Sequence, residues 1–147
     1  MQITTSRFGS VQIEIEDILR FPRGLIGFED ARHWVLLADS QNSTVGWLQS
    51  VGHPDLALPV VSPRRFVADY RIRVVRSQLG VLELAQLNQA HVLAIVGKDQ
   101  NQLTLNLKAP IIINLDRKVG CQVITSDEQP LHHPLAEISV GTYRKSA

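Results

Sequence analysis

Short stretches in which apolar and polar residues alternate with a period of two run through this chain. They constrain its fold more than any other feature. Val11, Ile13 and Ile15 alternate with Gln12, Glu14 and Glu16, and Leu103, Leu105 and Leu107 alternate with Thr104, Asn106 and Lys108. Val119, Cys121 and Val123 fall on one side of a third stretch, Gly120 and Gln122 on the other. Side chains on a strand point to opposite faces in turn, so the pattern predicts strands with one face in a core and one in water. Residues 34–38 and 92–96 are apolar throughout, and 111–115 apart from Asn114; all three are bounded by turn formers, which predicts more deeply buried strands.

The punctuation between these stretches suits an all-β plan. Phe21-Pro22-Arg23-Gly24 has Pro second and Gly fourth, as in a type I turn. Gly52-His53-Pro54-Asp55 and Lys98-Asp99-Gln100-Asn101 are further turns, and the latter predicts a hairpin between 92–96 and 103–107. Helix signals are few. Residues 28–32 suit one turn, and residues 77–87 carry Leu79, Leu82, Leu84 and Leu87 but are interrupted by Gly80. The expected fold class is mostly β: a compact β-barrel-like single domain over 1–147, with one or two short helices.

Composition narrows the function classes. A chain of 147 residues with a net charge of +1 lacks the basic excess of a dedicated nucleic-acid binder or a polybasic membrane tether. No apolar run approaches the roughly 20 residues of a membrane-spanning helix. The N-terminus has no apolar signal region, and the single cysteine, Cys121, cannot form an intrachain disulfide. A reducing compartment is therefore expected, in which the Asn42-Ser43-Thr44 sequon has no role.

No residue pattern points to catalysis. Cys121 shares an apolar face with Val119 and Val123, as a packing residue would. None of the serines stands in a G-x-S-x-G elbow. His33, His53, His91, His132 and His133 show no H-x-x-x-H spacing, and a structural metal needs three or four convergent ligands. Glu14, Glu16 and Asp17 read as the solvated face of a strand, as a negative docking patch, or as an acid/base pair, which an exposed position would leave without the burial that separates two pKa values. The glycines of Gly24-Leu25-Ile26-Gly27-Phe28-Glu29 fit neither phosphate-loop spacing and read as a structural turn. Arg64, Arg65, Arg71, Arg73 and Arg76 lie near Phe66 and Tyr70, with Arg71 and Arg73 expected on one strand face. They read as a solvated face, as arginines paired with the chain's own carboxylates, as a surface for an acidic protein, or as a single-stranded RNA surface. No catalytic residue, cofactor or metal is expected.

Phe21-Pro22-Arg23-Gly24-Leu25-Ile26-Gly27-Phe28-Glu29 is followed in order by Leu48-Gln49-Ser50, Pro54-Asp55-Leu56-Ala57, Val61-Ser62-Pro63 and Asp69-Tyr70. Residues 104–114, Thr-Leu-Asn-Leu-Lys-Ala-Pro-Ile-Ile-Ile-Asn, then Gln122 and His133-Pro134-Leu135, complete the series. This order resembles FliW, the bacterial flagellar assembly factor family, over nearly the whole chain. The resemblance implies a compact β-barrel-like, cytoplasmic, monomeric and non-enzymatic regulator. Such a protein binds flagellin near its C-terminus and antagonises the RNA-binding translational repressor CsrA, switching between the two partners. It further implies protein-binding roles for Leu48, Gln49, Ser50, Asp69, Tyr70 and Asn106, all expected to be accessible. Asn106 and Asp69 also suit a structural role in closing turns or ladders. Phe21, Gly24, Gly27, Ala109 and Pro110 are expected to define the fold. Glu14, Glu16, Asp17, Glu29 and Asp30 suit a basic partner by charge. The chain departs from the family pattern at Leu58-Pro59, which predicts an edge or bulge, and at Arg64-Arg65. The alternative reading is a nucleic-acid-binding β-barrel that uses the arginines from Arg64 to Arg76.

Overall fold

A computed structural model describes residues 1–135. Residues 136–147, the end of the single domain expected over 1–147, lie outside the described residues. The described strands are β1 (Gln2–Thr5), β2 (Gly9–Gln12), β3 (Leu19–Arg20), β4 (His33–Ala38), β5 (Val45–Ser50), β6 (Ala57–Val61), β7 (Ala90–Asp99), β8 (Gln102–Asn114), β9 (Val119–Gln122) and β10 (His133–Pro134). Strands β3 to β9 close into a seven-stranded barrel in the order β8-β7-β6-β5-β4-β3-β9, with β9 pairing back onto β8. All of these pairings are antiparallel except β3 with β9, which meet in parallel at Arg20 and Val119. Closure removes the exposed edges that an open sheet of this length would carry. The expected mostly β, barrel-like fold is the one observed.

The barrel interior takes residues from each wall strand. Leu19, Trp34, Leu48, Val60, Ile111 and Ile113 are buried there with Phe21, and Leu93 and Ile95 pack against them. On β9 the interior position is Gly120, which lies against the Phe21 ring. Residues of the opposite parity face outward and are covered in three places. The β1–β2 hairpin lays Ile3 and Val11 over Val35, Leu37 and Trp47. Arg7 stacks over the Trp47 ring at 4.5 Å, and the indole N–H donates to Asp39 at 2.9 Å. Tyr70 and Leu135 cover Ala94, Val96, Leu105 and Leu107, while Leu82 covers Ile112 and Cys121.

The hairpin expected around residues 98–101 is present. Asp99 pairs with Gln102, and Gln100 and Asn101 both have positive φ (49° and 67°), the backbone of a two-residue type I′ turn. Strand β8 is longer than expected and joins two predicted strands into one, with an irregularity at its middle. Leu93 pairs with Ile111 and Ile95 with Asn106, so residues 107–110 bulge out of the β7 ladder. Asn106 Oδ1 closes the bulge by accepting the Lys108 and Ala109 N–H groups at 3.1 and 3.0 Å. The displaced carbonyls of Lys108 and Pro110 accept from Thr125 and Val123 instead. Pro110 has no N–H to lose there.

Several local expectations are corrected. Ile15 does not continue the 11–13 alternation. Asp17 accepts the Glu14 N–H at 2.9 Å and starts a 3-10 turn over Ile15–Asp17, a side-chain bond that competes with strand extension and leaves Ile15 72% exposed. Glu14 and Glu16 therefore do not share a strand face. Residues 71–75 form no ladder, although Arg71 and Arg73 face solvent while Ile72 and Val74 pack inward. The segment expected to be helical near 77–87 is a 3-10 helix, Arg76–Leu82, ended by Glu83 in the left-handed region. Residues 28–32 form turns rather than a helical turn. The edge expected at Leu58-Pro59, by contrast, is present: β6 pairs with β5 there but has no ladder to β7, whose pairing begins only at Val60. The missing proline donor thus costs no ladder bond on that side.

Candidate functional site

The residues expected to form an accessible binding surface are mostly interior. Leu48 belongs to the barrel core. Gln49 is fully buried, and its Nε2 donates to the Ser50 carbonyl at 3.0 Å and reaches those of Leu56, Pro54 and His53 at 3.2–3.4 Å. Ser50 is buried, with its Oγ accepting the His53 N–H at 3.1 Å. Tyr70 is buried, and its hydroxyl donates to the Leu107 carbonyl at 2.7 Å. Burial, with the nearby Asp127 charge second, pushes the Tyr70 phenol up to about 12. Asn106 is half-buried with its oxygen committed to the bulge, and only Asp69 is exposed. The expected accessibility of Leu48, Gln49, Ser50 and Tyr70 is therefore corrected. These polar groups satisfy loop and bulge backbone that the barrel would otherwise leave unpaired.

Groups with chemical potential are placed in the same way. Cys121 is buried beside Leu82, Ile112 and Val123, and burial raises its thiol to about 11, against a smaller lowering by Arg23. A thiol held protonated is a poor nucleophile. Among the described residues no group of three or more His, Cys, Asp or Glu could hold a metal ion. The glycine turn is structural. Gly24 has φ +64°, and a Cβ on it would lie 2.6 Å from the Glu29 backbone. Gln122 joins this turn to the β8 bulge: its Oε1 accepts the Ile26 N–H at 2.8 Å and its Nε2 donates to the Ala109 carbonyl at 3.0 Å.

Among the described residues, two of the hollows carry rims of opposite charge. The first is a hollow lined by Phe28, Ala31, Pro54 and Leu56 and by the acidic Glu29, Asp30 and Asp55, with His53 beside them. Phe28 and its neighbour Ile26 are exposed there. The second runs along β7 and is lined by Ile72, Val75, Leu79, Leu84, Leu87 and Val92, with Arg64, Arg71 and Arg73 at its rim. Its volume is about 700 Å³, and a further hollow of about 490 Å³ continues it toward Pro63 and His91. Leu87 is 80% exposed and Val75 58%. In the sequence the arginines and leucines stand as separate features. Their closeness along the chain was the available signal that they share one groove. Tyr70, expected to stack beside the arginines, is buried, which removes an aromatic platform from the RNA reading.

Comparison with known proteins gives one consistent result. The family model described as FliW protein matches residues 2–135. A flagellar assembly factor FliW from Bdellovibrio bacteriovorus is 37% identical over 86% of this chain and 74% of its own length. One from Natranaerobius thermophilus is 35% identical over 92% of both chains. A crystal structure of the flagellar assembly factor FliW superposes with a TM-score of 0.83 at 29% identity, covering 93% of this chain and 98% of that one.

Proposed function

This chain belongs to the FliW family, and on that premise we propose that it is a cytoplasmic, non-enzymatic flagellar assembly factor that binds flagellin and antagonises CsrA by partner switching. The observation that carries the reading is the family match across residues 2–135, the whole barrel. The burial of Cys121 supports a function exerted by surfaces rather than by catalysis. Among the described residues no helix is long and apolar enough to cross a membrane.

A switch of this kind needs partners that exclude one another or couple negatively by at least a few kcal/mol. Two nanomolar complexes each have about −12 kcal/mol of binding free energy, so relative concentration decides which one forms. Each interface would cover roughly 800 Å² per partner. The acidic hollow around Phe28, Glu29, Asp30 and Asp55 has the charge to face a basic RNA-binding protein. Calorimetric titration of the protein with a flagellin C-terminal segment and with CsrA, separately and in competition, tests the proposal. Saturable binding of both with mutual displacement is expected, and absence of binding to either cognate partner refutes it.

A further inference from the structure

Strands β6 and β7 pair at only two positions, Val60 with Ile95 and Val61 with Ala94. Beyond Val61 the chain coils into the 3-10 turn Pro63–Arg65, so among the described residues no strand covers the β6 side of Ala90, His91, Val92 and Leu93. On their other side these residues pair with β8. The Ala90 N–H is held by the Leu87 carbonyl, and Val92 lies two residues further along the same edge. The gap opens into the groove lined by Ile72, Leu84 and Leu87.

We propose that this groove is a docking site for an acidic, apolar-bearing segment of a partner protein. The apolar side chains of that segment would cover Val75, Leu87 and Val92, and its carboxylates would meet Arg64, Arg71 and Arg73. Charge complementarity carries the choice of occupant. Among the described residues lining the groove there is no Asp or Glu, so its rim is of one sign in a protein whose net charge is only +1. Arg64 Nε is committed to the Tyr70 carbonyl at 3.0 Å, which fixes that arginine at the rim. Arg71 and Arg73 are exposed, and no described carboxylate pairs with them. An apolar floor with exposed leucine and valine, rimmed by charge, has the form of a protein-docking surface. An aliphatic floor offers no face on which nucleic-acid bases would stack. The inference rests on the groove alone and stands apart from the flagellin and CsrA reading.

The test measures fluorescence anisotropy of a short labelled peptide that alternates Glu and Asp with Leu and Ile, titrated with the full chain. A second peptide with Lys in place of every carboxylate, and a labelled single-stranded RNA, are titrated alongside. Saturable binding of the acidic peptide alone is expected, weakening with salt. The double variant Arg71→Glu, Arg73→Glu should weaken it by about tenfold or more, and Leu87→Ser severalfold, because rim charge and apolar floor both contribute. All three side chains are exposed, so the variants should keep the parent melting temperature. Amide shifts in a nitrogen–proton NMR spectrum should gather at residues 71–75 and 84–93. No binding of the acidic peptide, equal binding of the lysine peptide, indifference to the substitutions, or tighter binding of the RNA would each overturn the proposal. So would self-association through a second copy's exposed Ile15 and its flanking Glu14 and Glu16, seen in sedimentation as a concentration-dependent species lost in both Ile15→Ser and Arg71→Glu.

Discussion

Gly120 lies directly against the ring of Phe21, so that a Cβ at position 120 would stand 2.5 Å from the phenyl Cζ. This contact sets how closely β9 can approach the barrel core, where β9 bridges β3 and β8 to complete the ring. Gly120→Ala is therefore expected to destabilise the protein by about 1–3 kcal/mol through overpacking. Phe21→Leu should recover part of that loss in the double variant. Urea unfolding of the two single variants and the double variant measures the coupling, and additive losses would show that the contact is not limiting.

Asn106 should matter through its side-chain oxygen. Asn106→Ala leaves the Lys108 and Ala109 N–H groups without their acceptor and is expected to cost about 1–3 kcal/mol. Asn106→Asp keeps an acceptor in place and should cost clearly less. Chemical denaturation of both variants checks the order, and equal losses would contradict the bulge-closing role.

Gln49 should act as a clamp on the loop of residues 50–56. In Gln49→Leu, amide hydrogen exchange should accelerate in that loop, while the β7–β8 ladder stays protected. Gln49 Oε1 is buried with no partner among the described residues. Its removal offsets part of the lost bonding, so a net loss near 1 kcal/mol is expected, at the low end for a buried hydrogen-bonded group. An unchanged exchange pattern would remove the clamp assignment.

Stability should fall at high pH through Tyr70. Its phenol is raised from 10.0 to about 12 in the folded protein, so the folded state keeps a proton that the unfolded chain releases. The contribution is fully present below pH 10 and is lost as pH rises toward 12. Tyr70→Phe removes this pH dependence and, by deleting the hydrogen bond to the Leu107 carbonyl, lowers stability at neutral pH by about 1–3 kcal/mol. Thermal melts of both proteins across this range test the sign.

Cys121 should resist modification. With its thiol buried and raised to about 11, labelling by a thiol reagent at pH 8 is expected to be slow in the native protein and fast in urea. Its raised thiol also contributes stability that is present below pH 9.0 and lost toward 11, so Cys121→Ala separates this part of the alkaline loss from that of Tyr70. Rapid native labelling would place the thiol at the surface.

Alternation and turn chemistry are local properties, so the β class of the chain, the position of its β7–β8 turn and the stretches that supply its buried strands are all legible in the amino-acid order. The series of phrases from Phe21 to Leu135 was equally legible and named the family. The use each residue is put to depends instead on the packing of distant segments. Leu48, Gln49, Ser50 and Tyr70 looked like surface groups because their phrases are polar or aromatic, yet closure of the barrel and the covering of its outer wall place them inside. Ile15 looked like core because of its spacing, and one carboxylate bond from Asp17 to the Glu14 backbone turned it out into solvent. The arginine-rimmed groove is a consequence of where β6 stops and which residues the 71–87 segment leaves uncovered, and neither is written in any local pattern. Burial is set by what packs on both sides of a strand, and that is known only once distant segments have met.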